Sequence, residues 1–436
     1  MCKNGKFNYI KYIKANIMQR RDRLMIVKVI DDRMGMSKTS AMIQYMNLNK
    51  DKKFVVCTPF LTECLRIKEK CGFVEPEKLK DRSKLQHFKE LILSNRSIVT
   101  THALFKLVDL ETIEILKQKD YILVLDEVLD VVTETTKSEK DIEAMVELGI
   151  LKRNKDGNLE KGEEEVLTRW IGDWEYSDII SNLLRNTLEF YNSNGKKIAL
   201  MWLFPDDLIR SFKEVYILTY CFDGYPLKYY LDLKGIKQEK YSVEVLNPNE
   251  EYGNRMYKFV PYFRRSNKDI ADKVKILEGT KINSIGESNS AFSVTWYDNS
   301  FKKSEINIEL KKNLINVCTN RFKNGKIKDI MWTAFLKNQE SLHNERLKEE
   351  NMIPHNIRAT NDYRDKTSLV YLVNRRYNPV ILNWFREKGI NIDEDEYALG
   401  ELSQWVWRSA IRDNGSIEIY IPSRRMRELL QEWLSK

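Results

Sequence analysis

The stretch Val29-Ile30-Asp31-Asp32-Arg33-Met34-Gly35-Met36-Ser37-Lys38-Thr39 restricts the fold of this chain more than any other. It follows an apolar, β-branched run, Leu24 to Ile30, and precedes a helix-like run, Ser37 to Asn47. A strand, a tight loop and Lys-Thr at a helix start form the layout of a phosphate-binding loop. The N–H groups and dipole of a helix start favour an anion there. Arg33, Met34, Gly35, Met36, Ser37, Lys38 and Thr39 are therefore the candidate nucleotide-binding loop. The lysine adds a point charge for the outer phosphates, and the threonine hydroxyl suits Mg²⁺. The pattern G-x-x-x-x-G-K-[ST] reads here with Asp32 and Ser37 in place of both outer glycines, while Gly35 remains between them. The same residues also suit an ordinary turn before a helix.

A second element raises the constraint. Tyr121-Ile122-Leu123-Val124-Leu125 is a five-residue apolar run, followed at once by Asp126-Glu127. Such a run suits a strand buried on both faces of a parallel sheet. Open α/β sheets place ligands at the carboxyl ends of their strands, where these two acids stand. Asp126 suits a metal ion shared with Thr39, and Glu127 suits orienting or deprotonating a water for attack on a phosphate.

The chain has 436 residues, enough for two or three domains. Its 42% hydrophobic and 31% charged content is that of a globular protein. No apolar run approaches the ~20 residues that span a bilayer, and the basic start Met1-Cys2-Lys3-Asn4-Gly5-Lys6 lacks a following apolar segment of signal-peptide length. A cytoplasmic protein without a membrane partner is the expectation. The six cysteines form no C-x-x-C pair and read as reduced thiols; with only four histidines, a structural zinc site is not expected. The net charge of +9 favours a polyanionic partner, although lysines and acids interleave along the whole chain.

Five apolar segments punctuate the first half: Leu24–Ile30, Phe54–Cys57, Ile98–Thr100, Ile122–Leu125 and Val215–Leu218. Helix-like stretches separate the first four, which predicts parallel strands with right-handed crossovers. Between Asp130 and Lys197 the alternation breaks into a charge-dense stretch with a turn at Asp156-Gly157, read as an insertion over about residues 131–197. It suits a lid, a pin or a partner surface equally. The domain boundary is placed near residue 235, giving lobes 1–235 and 236–436. Strands are predicted in the second lobe at Ile330–Phe335, Ser368–Val373 and Ile417–Ile421, with a last helix at Met426–Leu434.

Near the C-terminus, Gln404, Arg408 and Arg412 recur every four residues, so on one continuous helix they share a face. Two guanidiniums on one face match phosphate geometry and neutralise transition-state charge. The same segment also suits a basic amphipathic helix with Trp405 and Ile411 turned inward.

The order and separation of Asp32–Thr39, Asp126-Glu127 and Gln404–Arg412 resemble those of superfamily 2 helicases, most of all the DEAD/DEAH-like helicases of bacteriophage genomes. Minor motifs fit the resemblance. Thr58-Pro59 after Cys57, Thr101-His102 after Thr100, and Thr219 in Leu218-Thr219-Tyr220 resemble motifs of the first lobe. Trp332-Thr333, and Thr360-Asn361 in Arg358-Ala359-Thr360-Asn361, stand where the second lobe's strand-contacting motifs would be. The resemblance implies two tandem RecA-like α/β lobes with parallel sheets, a nucleotide cleft between them and an insertion in lobe 1. It implies ATP and Mg²⁺ as cofactors, with Lys38 on phosphate, Thr39 and Asp126 on the metal and Glu127 on water. It further implies Gln404 and Arg408 or Arg412 completing the site. Nucleic acid, DNA rather than RNA, would lie across Thr58, Pro59, Thr101, His102, Thr219, Trp332, Thr333, Thr360 and Asn361.

Replication or recombination proteins are the implied further partners, and a phage-encoded chain would act in the host cytoplasm. The chain departs from the family at Ser37, in the four-residue spacing of its arginines, in lacking an upstream glutamine motif for adenine, and in keeping one hydroxyl in Thr219-Tyr220-Cys221. Two rival readings share the motifs. One is a double-stranded DNA translocase that remodels without separating strands; the other is a degenerate module that binds nucleic acid without turnover.

Overall fold

The structure, a computed structural model, describes residues 25–170, 172, 175–193, 197–301, 304–356 and 362–436. Two compact units emerge. The first contains residues up to Asp31, then Thr39–Pro261 and Asn378–Ile392; the second contains Asp32–Lys38, Tyr262–Tyr377 and Asp393–Lys436. The chain is α/β, with a mainly parallel sheet in each unit.

In the first unit the four leading strands are β1 (Ile26–Asp31), β2 (Lys53–Thr58), β3 (Ile98–Thr101) and β4 (Tyr121–Asp126). The insertion follows with β5 (Val132–Thr136), β6 (Leu151–Arg153), β7 (Leu159–Lys161), β8 (Leu188–Ser193) and β9 (Lys197–Leu203). β10 (Glu214–Thr219), β11 (Lys237–Val245) and β12 (Tyr257–Pro261) complete the unit. The seven-stranded sheet runs β12-β11-β1-β10-β4-β2-β3. All its pairings are parallel except β11 with β12, an antiparallel strand on one edge. The central strands β1 and β4 are apolar because helices cover both faces of such a sheet. Ile30, Val56, Val124 and Leu218 join Ala41, Met42 and Met46 of the helix Lys38–Leu48 in one buried cluster.

β11 and β12 were expected in the second lobe. They belong instead to the first unit, because β11 pairs with the otherwise open edge of β1, Ile30 lying opposite Tyr241. The turn residues Asn247-Pro248-Asn249 lie in the connection of the β11–β12 hairpin, and this part of the first unit runs to Pro261 and not to about residue 235. The insertion has an apolar core of its own, with Ile142, Met145, Ile150, Leu167, Ile180 and Leu200 buried together. Its three-stranded sheet runs β5-β9-β8 and is antiparallel. The helix Pro379–Glu387, distant in sequence, attaches to it. Trp384 Nε1 donates to Glu189 at 3.1 Å, and Tyr191 donates its hydroxyl proton to Glu387 at 2.9 Å.

The second unit carries a four-stranded parallel sheet of β13 (Val274–Ile276), β14 (Ile330–Thr333), β15 (Ser368–Tyr371) and β16 (Ile417–Tyr420), ordered β13-β16-β15-β14. Its closing helix is Arg424–Ser435, with Met426, Leu430, Trp433 and Leu434 buried. Trp332, Val370 and Tyr420 face a large apolar cluster with Trp296, Tyr297 and Phe301. No helix among the described residues is long and apolar enough to cross a membrane. The five cysteines from Cys57 onward are all free thiols.

One buried base in the second unit gives a pH expectation. His355 packs edge-on against Phe335 at 5.5 Å, and its Nδ1 is buried with no partner among the described residues. Burial, helped by the charge of Arg375, lowers its pKa from 6.5 to about 4. The unfolded chain therefore takes up a proton below about pH 6.5 that the fold resists until about pH 4. Stability is expected to fall across that window on acidification, and His355→Gln is expected to flatten the fall. Urea-unfolding midpoints at pH 7 and pH 5 check this; an equal acid loss in both proteins would rule His355 out as its cause.

Candidate nucleotide site

The carboxyl ends of three neighbouring strands define the site in the first unit. Asp31 closes β1 opposite Thr219 of β10, and Leu218 of β10 lies opposite Asp126 of β4. These three ends thus form one row, at the edge of an open sheet where such folds bind ligands. Thr39, in the first turn of the helix that follows β1, places its Oγ1 at 3.3 and 3.4 Å from the two oxygens of Asp126. A hydroxyl and a carboxylate so juxtaposed are the oxygen donors that Mg²⁺ prefers.

Glu127 follows Asp126 in an unusual backbone state. Its φ is +68°, in the left-handed region that a non-glycine residue enters at a cost. The conformation is held by its own N–H, which donates to Leu218 O at 2.9 Å. Glu127 Oε2 is buried and has no hydrogen-bond partner among the described residues. A buried carboxylate oxygen without a partner is costly in a purely structural role. Thr219 Oγ1, on the neighbouring strand end, is likewise buried without a partner.

Asp31 is buried, accepts from Phe222 N at 3.3 Å and pairs with Lys240 at 3.1 Å. Burial alone would lower the Lys240 pKa, but Asp31 and Asp223 outweigh it and raise the value. Asp31, the first residue after the apolar run Leu24–Ile30, is not among the candidate site residues of the sequence.

The loop Asp32–Lys38 is contained in the second unit. Its two left-handed positions are Gly35, φ +79°, and Ser37, φ +60°. The family's glycine at position 37 suits that conformation, and Ser37 adopts it nonetheless. Lys38 Nζ donates to Asp32 O and, at 3.2 Å, to Arg33 O. Asp32, which departs from the phosphate-loop pattern, and its neighbour Arg33 are both ion-paired. Asp32, itself buried, accepts from Arg265 Nε at 2.8 Å and from Arg265 Nη2 at 3.0 Å. Arg33 forks onto Asp269 at 2.7 and 2.6 Å, which holds the Asp269 carboxyl below its usual range. A Cβ built on Gly35 would stand 2.6 Å from Trp407 Cζ2, so the ring requires glycine there. Only a paired contact map, absent from sequence alone, links 32–33 to 265–269.

The C-terminal motif does not form one helical face. Gln404 lies in the last turn of the helix Glu394–Val406, Arg408 follows its cap Trp407, and Arg412 lies in the separate short turn Ala410–Asp413. The helix ends because the backbone tightens to i→i−3 bonds at Arg408 and Ser409, and Ser409 then turns extended. Ser409 Oγ reinforces the stop by donating to Val406 O at 2.7 Å. Gln404 and Arg408 are buried and Arg412 is half-buried. Trp405 and Ile411 are turned inward as expected, and Trp405 Nε1 donates to Ile353 O at 3.2 Å.

Several residues assigned to nucleic acid are engaged by the fold. Thr58 is fully buried and donates to Phe60 O at 2.9 Å, beside Pro59 at the surface of the turn. Thr101 caps the helix His102–Lys106 by accepting from Leu104 N. Trp332 and Thr333 correct the expectation: both have 0% exposure within β14, and the Trp332 indole donates to Lys348 O at 2.7 Å inside the core. All four residues of β14 are buried, as in a strand covered on both faces. Thr360 and Asn361 lie outside the described residues. No group of three or more His, Cys, Asp or Glu suited to a metal stands among the described residues.

Comparison with known proteins adds three findings. Residues 268–434 match a family described as the YonV C-terminal Rossmann-like domain. The SPbeta prophage-derived protein YonV of Bacillus subtilis strain 168 is 37% identical over 417 residues, covering 94% of this chain and 98% of that protein. Among solved structures, S. tokodaii Xpd4 aligns over 97% of both chains with a TM-score of 0.49 and 13% identity. An apo XPD structure aligns over 97% of this chain and 98% of that one, with a TM-score of 0.44 and 12% identity.

Proposed function

The chain belongs to the YonV family, and we propose that it is a nucleic-acid-dependent ATPase, a DNA helicase of superfamily 2 type. The observation that carries this reading is the pair at the end of β4. Asp126 faces the Thr39 hydroxyl, and the next residue, Glu127, is held in a left-handed backbone with a buried, unpartnered oxygen. A strained acid beside a candidate metal ligand suits proton abstraction from an attacking water. Thr39 and Asp126 would hold Mg²⁺, which when bound neutralises phosphate charge. Lys38, the residue before Thr39, would add charge at the outer phosphates, and Glu127 would take the proton of the attacking water.

The prophage origin of the relative favours a phage replication or recombination setting in a host cytoplasm. A second reading, nucleic-acid binding without turnover, is favoured by one observation: Lys38 already bonds two carbonyls of its own loop.

Nucleic acid would be held mainly through phosphates, with little sequence preference. Affinity for a labelled single strand is expected to fall with salt at a log–log slope of roughly −0.7 per phosphate contact. Titrations of single-stranded DNA, duplex DNA and RNA over a salt series measure this, and ATP-driven strand displacement separates helicase from translocase. A flat salt response, or selection of one short sequence, would contradict the backbone grip.

A further inference from the structure

The sequence carries no upstream glutamine motif to read a base, yet side chains from three elements of the first unit converge beside Thr39. Ser40, the next residue, stands at 2.8 Å between its Oγ and the Tyr252 hydroxyl. Arg66, from the helix Leu61–Cys71, donates Nη2 to the same Ser40 Oγ at 3.2 Å. Tyr252 lies in the β11–β12 connection, in the short turn Tyr252–Asn254.

That connection is braced along one side of the helix Lys38–Leu48. Ser40 and Gln44 are one turn apart and share a helix face, and Gln44 Oε1 accepts from Tyr257 N at 3.0 Å. Asn247 ties the connection across, donating to Asn254 O at 3.1 Å and accepting from Met256 N at 2.6 Å. Tyr252 is thereby fixed by its hydroxyl while its ring stays 57% exposed. The Arg255 guanidinium lies 5.8 Å from the ring centre.

A tyrosine more than half exposed buries little apolar area, so its position gains the fold little. An exposed, immobilised ring next to a cation is what stacks on a nucleobase. Ser40 lies immediately beyond the residue proposed to meet the metal-bound phosphates. A nucleotide with its phosphates at Thr39 could extend its sugar and base past Ser40.

We propose that Tyr252, fixed on Ser40 and flanked by Arg66 and Arg255, is the base platform of the nucleotide site and takes the purine of a nucleoside triphosphate. The proposal rests on the nucleotide reading above.

Calorimetric titration of the full chain with Mg²⁺ and either a non-hydrolysable ATP analogue or inorganic tripolyphosphate tests it. Tyr252→Ala and Tyr252→Leu are each expected to weaken the ATP analogue roughly 10-fold or more, the loss of one base–aromatic stack. Both are expected to leave tripolyphosphate unchanged. Tyr252→Phe keeps the ring but loses its tether to Ser40, and is expected to bind the ATP analogue more weakly than wild type and more tightly than Tyr252→Leu. Equal affinity of wild type and the folded Tyr252→Leu protein for the ATP analogue would overturn the platform. An equal loss for both ligands would also overturn it, since that marks Tyr252 as a brace of the helix. Failure of the wild-type chain to bind either ligand would instead sink the nucleotide reading itself.

Discussion

Glu127→Gln is expected to bind Mg-ATP with near-wild-type affinity and to lose hydrolysis by roughly 10²- to 10⁴-fold, the range for removing a general base. The amide keeps the shape of the carboxyl and cannot take a proton. The backbone at this residue is fixed by its N–H bond to Leu218 O, so the substitution leaves the strand end in place. Single-turnover hydrolysis beside equilibrium nucleotide binding separates the two effects. If turnover persisted, the acid with the buried, unpartnered oxygen would have no role in the chemistry. A protein that lost only thermal stability would mark Glu127 as a structural residue.

Lys38→Ala is expected to weaken nucleotide binding roughly 10- to 100-fold, the loss of charge-assisted hydrogen bonds, with hydrolysis lost at cellular ATP levels. The fold should survive, because Lys38 is half-buried, its ammonium bonds loop carbonyls and it is outside the apolar core. Circular dichroism and a thermal melt establish the folded state, and calorimetry gives the affinity. Unchanged binding in a folded Lys38→Ala protein would remove the loop from the site and favour the turnover-free reading.

Much of this was legible from local pattern. Five apolar runs in the first half became β1, β2, β3, β4 and β10, since a strand buried on both faces must be continuously apolar. Thr39, Asp126 and Glu127 were readable because a strand end followed by chemistry-bearing residues is a local signal. What needed pairing information was not legible. β11 joins the first sheet only because β1 offers an open edge, and nothing in its own residues names that partner. Asp32 reads as a defect of a phosphate loop until Arg265 is seen opposite it, and the partner of Arg33, Asp269, is as distant in sequence.

The periodicity of Gln404, Arg408 and Arg412 assumed a helix that Ser409 ends early. The short Thr motifs have a local structural role as well. Thr58 and Thr101 spend their hydroxyls on the local backbone, a use that competes with ligand binding in the same residue types. Trp332 was taken for a contact residue, whereas a tryptophan in a short apolar strand is more simply core.

The most direct test of the central claim is phosphate release from ATP by the purified full chain, with and without Mg²⁺, and with single-stranded DNA, duplex DNA or RNA present. Mg²⁺-dependent release that rises when nucleic acid is added, and that Glu127→Gln abolishes, is the expected result. A folded chain that binds nucleic acid yet releases no phosphate under any of these conditions, or releases it equally well as Glu127→Gln, would contradict the account.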